Sequence, residues 1–220
     1  MVKRASDIER HVWVGRNAKH QRRARVPRAI LEGWVEECHR YCELMNDVCW
    51  WYNERASVST FAIAAGKTPG WVALEEYSTS KEALGDEARA AAKYGRCDLY
   101  VANKEQEFAF EFKQAWQTLF PTAPGTYLSL EKGWTDALAD SRKLKSDEGD
   151  RHFAGLFVVP FAPVGRSADA VKDAWNRLRT AVMALDDIAA MAFYSRSAPG
   201  IENSKGNRTF PGVFLALRER

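Results

Sequence analysis

No apolar run in this chain is long enough to cross a bilayer, and no apolar stretch near its start has the form of a secretory signal. Membrane insertion and secretion are therefore not expected. Cysteine is sparse: Cys38, Cys42, Cys49 and Cys97. The first three fall at helical spacing, which suits buried thiols better than a disulfide framework, so a reducing cytoplasm is the expected compartment. His39 sits among those cysteines, but thiols on the apolar stripe of a helix read as core rather than as a zinc site. His11, His20 and His152 have no partners at a recognisable ligand spacing. Internal repeats and low-complexity blocks are absent as well.

What is present fits a soluble globular chain of 220 residues, with 46% apolar and 28% charged residues, long enough for one large domain. The net charge of +3 conceals an asymmetry. Residues 1–28 carry nine Lys/Arg against Asp7 and Glu9, a local +7, so the remainder sums to −4. The stretch "GRNAKHQRRARVPR" concentrates Arg16, Lys19, Arg22, Arg23, Arg25 and Arg28. A basic N-terminal arm over 1–28 suits a polyanion, nucleic acid above all. A solvated basic end with no partner explains the same charge equally well.

Pro27 reads as a helix start. Beyond it, Ile30, Trp34, Cys38, Tyr41, Cys42, Met45, Val48, Cys49 and Tyr52 recur at three- and four-residue steps, predicting an amphipathic helix of about seven turns over 29–52. Asn53 is placed to cap a second helix ending near Gly66, striped by Val58, Phe61, Ala62 and Ala65. Three strands follow: "WVALEEY", "RCDLYVA" and "EFAFEFKQAW". A polar, Ala-rich excursion precedes the second, and the turn "NKEQ" precedes the third. A helix over about 129–145 presents Trp134, Ala137, Leu138 and Ser141. "FAGLFVVPF" has the unbroken apolar character of a central strand. Ser167 caps a helix over about 168–186, and "IAAMAFYS" and "GVFLALR" close the chain as strands. The pattern predicts a mixed α/β domain over 29–220, with core elements at about 53–160 and a C-terminal helix plus two strands over 161–220.

The strand 107–116 poses a chemical question. Phe108, Phe110 and Phe112 share one face with Gln114 and Trp116, while Ala109, Glu111, Lys113 and Ala115 share the other. A carboxylate and an ammonium roughly 7 Å apart thus stand among alanines, on a face with room beside them. Asp98, thirteen positions before Glu111, lies on the preceding strand. An acid on one strand and Glu-x-Lys on the next can converge at one end of a sheet. Two carboxylates and a main-chain carbonyl suit Mg²⁺, which keeps several waters. Such an ion polarises a phosphoryl oxygen, and an adjacent lysine can orient or deprotonate a water or stabilise developing charge. The bland alternative is a cross-strand ion pair of Lys113 with Asp98 or Glu111.

On "CDLYV" followed by "FAFEFKQAW", within an αβββαβ order, the chain resembles the PD-(D/E)XK nuclease superfamily, the restriction-endonuclease-like fold. The resemblance implies Asp98 and Glu111 as metal ligands with the Phe112 carbonyl, and Lys113 as the catalytic lysine. It implies a further acid, for which Glu54 is the first candidate and Glu75 or Glu76 weaker ones, with Gln114 as a polar neighbour of the metal site. Cys97 stands where many members carry proline. The expected activity is Mg²⁺-dependent phosphodiester hydrolysis, with Mn²⁺ able to substitute and DNA the expected substrate. Arg142, Lys143 and Lys145 either meet phosphates beside this site or complement a helix C-terminus. A homodimer is compatible with the pattern. The alternatives are a non-catalytic nucleic-acid-binding or protein-interaction domain on the same fold, and a structural α/β protein whose Trp/Cys-rich helix is a partner surface.

Overall fold

The computed structural model describes residues 8–14, 26–81, 93–123, 125–145, 148–196, 201–202 and 206–220. Helix α1 spans Arg28–Met45 after Pro27, burying Ile30, Leu31, Trp34, Cys38 and Cys42 on one stripe. It stops seven residues short of the periodicity-based expectation. Asn46 adopts the left-handed conformation (φ 49°), a state that asparagine tolerates and that terminates helices. Of the residues that extended the pattern, Val48 and Cys49 are buried at a 3-10 turn over Cys49–Trp51, while Tyr52 is exposed. Helix α2, Glu54–Lys67, begins where expected: the Asn53 side chain accepts a 2.9 Å hydrogen bond from the Ala56 amide.

Strands β1 (Ile8–Val14), β2 (Val72–Lys81), β3 (Lys93–Ala102), β4 (Glu107–Thr118), β5 (Arg151–Pro163), β6 (Ala190–Arg196) and β9 (Gly212–Glu219) form a sheet in the order β1-β6-β9-β5-β4-β3-β2. Short strands β7 (Ile201–Glu202) and β8 (Arg208–Phe210) pair with each other, and β8 pairs with the end of β5. Among the described strands only β4 and β5 run parallel, and helix α3 (Leu128–Ser141) makes the crossover that a parallel pair requires. Helix α4 spans Ala168–Met183 and starts at Ser167, whose hydroxyl accepts from the Ala170 amide.

The chain is thus α/β, with a mixed sheet and four α-helices among the described residues. Two apolar layers hold it. Phe108, Phe110 and Phe112 join Phe61 and Trp34 of α2 and α1 on one face. Leu156, Val158, Phe193 and Phe214 meet Trp134 of α3 and Trp175 of α4 on the other. Side chains of β4 alternate between the two layers, and both layers cover the strand, so Phe108 through Phe112 are buried without a break. Gly155 lies opposite Phe112 in the ladder, where a Cβ would stand 2.2 Å from the ring. The ring packs only because that side chain is missing.

One element contradicts the expectation of a plain basic arm. Residues Ile8–Val14 pair antiparallel with β6 along their whole length, and Val12 is buried in the core. The periodicity is short and interrupted by Arg10 and His11, so charge hid the strand. Strands β2 and β3 also run further than expected, through residues 78–81 and 93–95. The Ala-rich stretch 82–92 lies outside the described residues, as do Arg16, Lys19, Arg22, Arg23 and Arg25.

Candidate functional site

Strand β3 accompanies β4 only from Glu107 to Phe110; beyond that, β4 continues to Thr118 with β5 alone as its ladder partner. The backbone groups along that open edge need other partners. Side chains supply them. Asp98 Oδ2 accepts a 2.8 Å hydrogen bond from the Phe112 amide, and the Glu54 carboxylate stands near enough to the Gln114 amide, Lys113 and Asp98 to feel each of them. Between these two amides lies the Phe112 carbonyl, which accepts from Lys113 Nζ at 3.2 Å. Two acids from separate elements therefore flank one carbonyl oxygen, with an ammonium on it.

Asp98 sits where β3 departs from regular alternation. Residues two apart on a strand share a face, yet Leu99 packs with the phenylalanines while Cys97 packs with Ala109 and Leu144 behind β4. The Cys97 thiol also donates to the Leu99 and Phe110 carbonyls at 3.4 and 3.5 Å. On the adjoining strand Glu76 has φ of 49°. This local twist turns the Asp98 carboxylate into the gap between β3 and β4.

The ion-pair partner of Lys113 lies on α3. Lys113 Nζ lies 2.7 Å from Asp140 Oδ2, and Lys143 Nζ lies 2.7 Å from Asp140 Oδ1. Burial works against the Lys113 ammonium, but the hydrogen bond to Asp140 and the charges of Asp140, Glu54 and Asp98 outweigh it and raise its pKa. Asp140 is likewise opposed by burial and nonetheless held below its usual range by Lys113 and Lys143. Glu54 moves the other way. Burial raises its pKa first, the negative charges of Asp98 and Asp140 add to the rise, and Lys113 and the Gln114 amide only partly oppose it.

The sequence-derived residues thus divide. Glu54, Asp98, Phe112, Lys113 and Gln114 gather along the β4 edge, with Gln114 Oε1 accepting from Ser57 Oγ at 2.7 Å. Glu111, only 2% exposed, lies on the α3 side of the strand; burial and the Glu111 charge together push the Cys97 thiol up to about 12. Glu75 accepts from Ser59, and Glu76 pairs with Arg55 and Arg96, leaving Glu54 as the one of these three acids whose charge acts on Lys113. Lys143 is engaged by Asp140, Arg142 ends α3 in an exposed position, and Lys145 is half-buried. Cys38, Cys42 and Cys49 are buried thiols, as expected for core residues. Sequence reasoning missed Asp140 and Ser57. Asp140 follows Ala137 by three on the sheet-facing side of α3, which was the available signal.

Among the described residues, no cluster of three or more His, Cys, Asp or Glu side chains is arranged to hold a metal ion. The hard-oxygen set at the edge is smaller: two carboxylates and one carbonyl, which is the donor chemistry Mg²⁺ accepts with water completing its shell. No described helix is long and apolar enough to cross a membrane. No family model, no curated protein and no solved structure matches the chain.

Proposed function

We propose that the chain is a Mg²⁺-dependent phosphodiester hydrolase acting on DNA, built on a restriction-endonuclease-like core formed by α2, β2, β3, β4, α3 and β5. The observation that carries this reading is the Phe112 carbonyl flanked by Asp98 and Glu54 on the open edge of β4, with the Lys113 ammonium upon it. Asp98, Glu54 and the Phe112 carbonyl would hold the ion; Glu111, buried on the α3 side of β4, lies apart from this set. A divalent cation there supplies Lewis acidity toward a phosphoryl oxygen. Lys113, kept charged by its acidic neighbours, offsets negative charge developing on the phosphate. Gln114, fixed by Ser57, offers an amide donor to a phosphate oxygen or a water. The basic residues of 16–28 would add phosphate contacts without reading sequence.

The test is cleavage by the purified full chain, with Mg²⁺ or Mn²⁺, of single-stranded, duplex and branched DNA. Lys113→Ala and Glu54→Gln should each abolish cleavage and leave DNA binding largely intact. A wild type that binds DNA but cuts none of these substrates would favour the second reading, a non-catalytic binding domain. The 2.7 Å closure of Lys113 onto Asp140 is the feature on which that reading rests.

A further inference from the structure

Lysine reaches any target through four rotatable bonds, so a lysine at a partly open site needs something to hold its amine in one place. Lys113 has that something. Its side chain is 29% exposed and ends between two acceptors, the Phe112 carbonyl at 3.2 Å and Asp140 at 2.7 Å. Asp140 is itself 27% exposed and is held on its second oxygen by Lys143. The helix end that carries Asp140 is fixed in turn: the Arg220 guanidinium donates to the Leu144 carbonyl at 2.9 Å and reaches the Ser141 carbonyl at 3.5 Å. The chain of contacts runs from β9's end through α3 to the amine.

We infer that Asp140 is the positioning residue of this site: it fixes the Lys113 ammonium beside the Phe112 carbonyl, with Lys143 fixing Asp140. The inference rests on the nuclease reading for its catalytic consequence, though not for the geometry itself. Asp140 touches no substrate atom in this scheme. Its effect passes through Lys113, so it should change turnover and leave DNA binding alone, because a displaced catalytic group loses rate at unchanged affinity.

Two measurements on the full-length protein test this. In metal-free protein, the ¹⁵N-detected Lys113 ammonium signal, assigned by its loss in Lys113→Ala, should be visible in wild type because its protons are held by two acceptors. Asp140→Asn should broaden it away, and Asp140→Glu should retain it. With Mg²⁺ and a cleaved DNA substrate, Asp140→Asn should lower kcat about 10- to 100-fold with KM unchanged, with partial rescue by Asp140→Glu. Asp140→Asn should add nothing to Lys113→Ala. An Asp140→Asn protein that keeps both the ammonium signal and wild-type kcat overturns the inference while leaving the nuclease reading standing. A wild type with the protected ammonium but no cleavage of any substrate overturns the nuclease reading and the catalytic role of Asp140 together, and leaves a structural clamp.

Discussion

Asp98 and Phe112 lie fourteen positions apart in the chain, and the carboxylate of one accepts a 2.8 Å hydrogen bond from the amide of the other. A β3 side chain thus completes the edge of β4 where the β3 backbone no longer does. Removing the acceptor and removing the charge are different operations. Asp98→Ala strands a backbone donor at a packed edge and should cost about 1–3 kcal/mol in urea unfolding. Asp98→Asn keeps an acceptor oxygen and should cost far less, while abolishing metal-dependent cleavage. Equal losses from the two variants would show that this hydrogen bond does not support the fold.

Gly155 and Gly66 should respond to alanine with opposite signs. A Cβ at Gly155 would stand 2.2 and 2.3 Å from two Phe112 ring carbons and 3.2 Å from Leu217, and the ring is stacked between Phe110 and Phe157 with no room to retreat. Gly155→Ala should cost about 3 kcal/mol and shift the Phe112 carbonyl along with its ring. At Gly66, within α2, nothing lies within 4 Å of an added Cβ. Gly66→Ala should raise stability by about 0.5–1 kcal/mol, read as an increase in Tm.

Glu37 predicts how stability falls in acid. It is 8% exposed and pairs with Lys67 at 2.6 Å and Arg40 at 2.7 Å, tying α1 to the end of α2. Burial opposes its charge, but hydrogen bonds from Lys67 and Arg40 prevail and lower its pKa. A carboxyl depressed on folding stabilises above its unfolded pKa and loses that contribution as pH falls through the folded value. Lys67→Met should therefore destabilise by about 1–3 kcal/mol at neutral pH, with the difference shrinking below about pH 4. Denaturant titrations at both pH values decide it; a difference independent of pH would assign the loss to packing.

If the proposed ion is held by Asp98, Glu54 and the Phe112 carbonyl, a divalent cation should stabilise the protein by mass action. Tm should rise with Mg²⁺ or Mn²⁺ in wild type and rise less in Glu54→Gln. A Tm in wild type that does not respond to either ion would remove the metal from the proposed site.

Much of this was legible in the chain. The alternating phenylalanines of β4, the unbroken apolar run of β5 and the caps Asn53 and Ser167 are local signals, and each produced the element its chemistry implies. Other features depend on distant partners. Strand β1 is stabilised by pairing with β6, nearly the whole chain away, and its own residues carry too much charge to advertise burial. The step of three from Ala137 puts Asp140 on the sheet-facing side of α3, but its meeting with Lys113 depends on how α3 lies across β4. The reversal of faces at Asp98 is equally invisible to a period of two.

The strand at Ile8–Val14 also changes how the basic segment should be tested. Deleting residues 1–25 would remove β1 along with the arginines. Arg22, Arg23 and Arg25 changed together to Gln leave the strand intact. The slope of log affinity against log salt for DNA should then flatten by about 0.9 for each phosphate that these arginines neutralise. An unchanged slope would show that these residues do not meet the backbone.

Strand β1, seven residues from Ile8 to Val14, covers about 20 Å along the chain. Four strand-to-strand steps separate β1 from β4, also about 20 Å. A nucleic acid that met both β1 and the Lys113 edge, as the proposed function supposes, would therefore lie across the strands, with roughly six base pairs at 3.4 Å each between them.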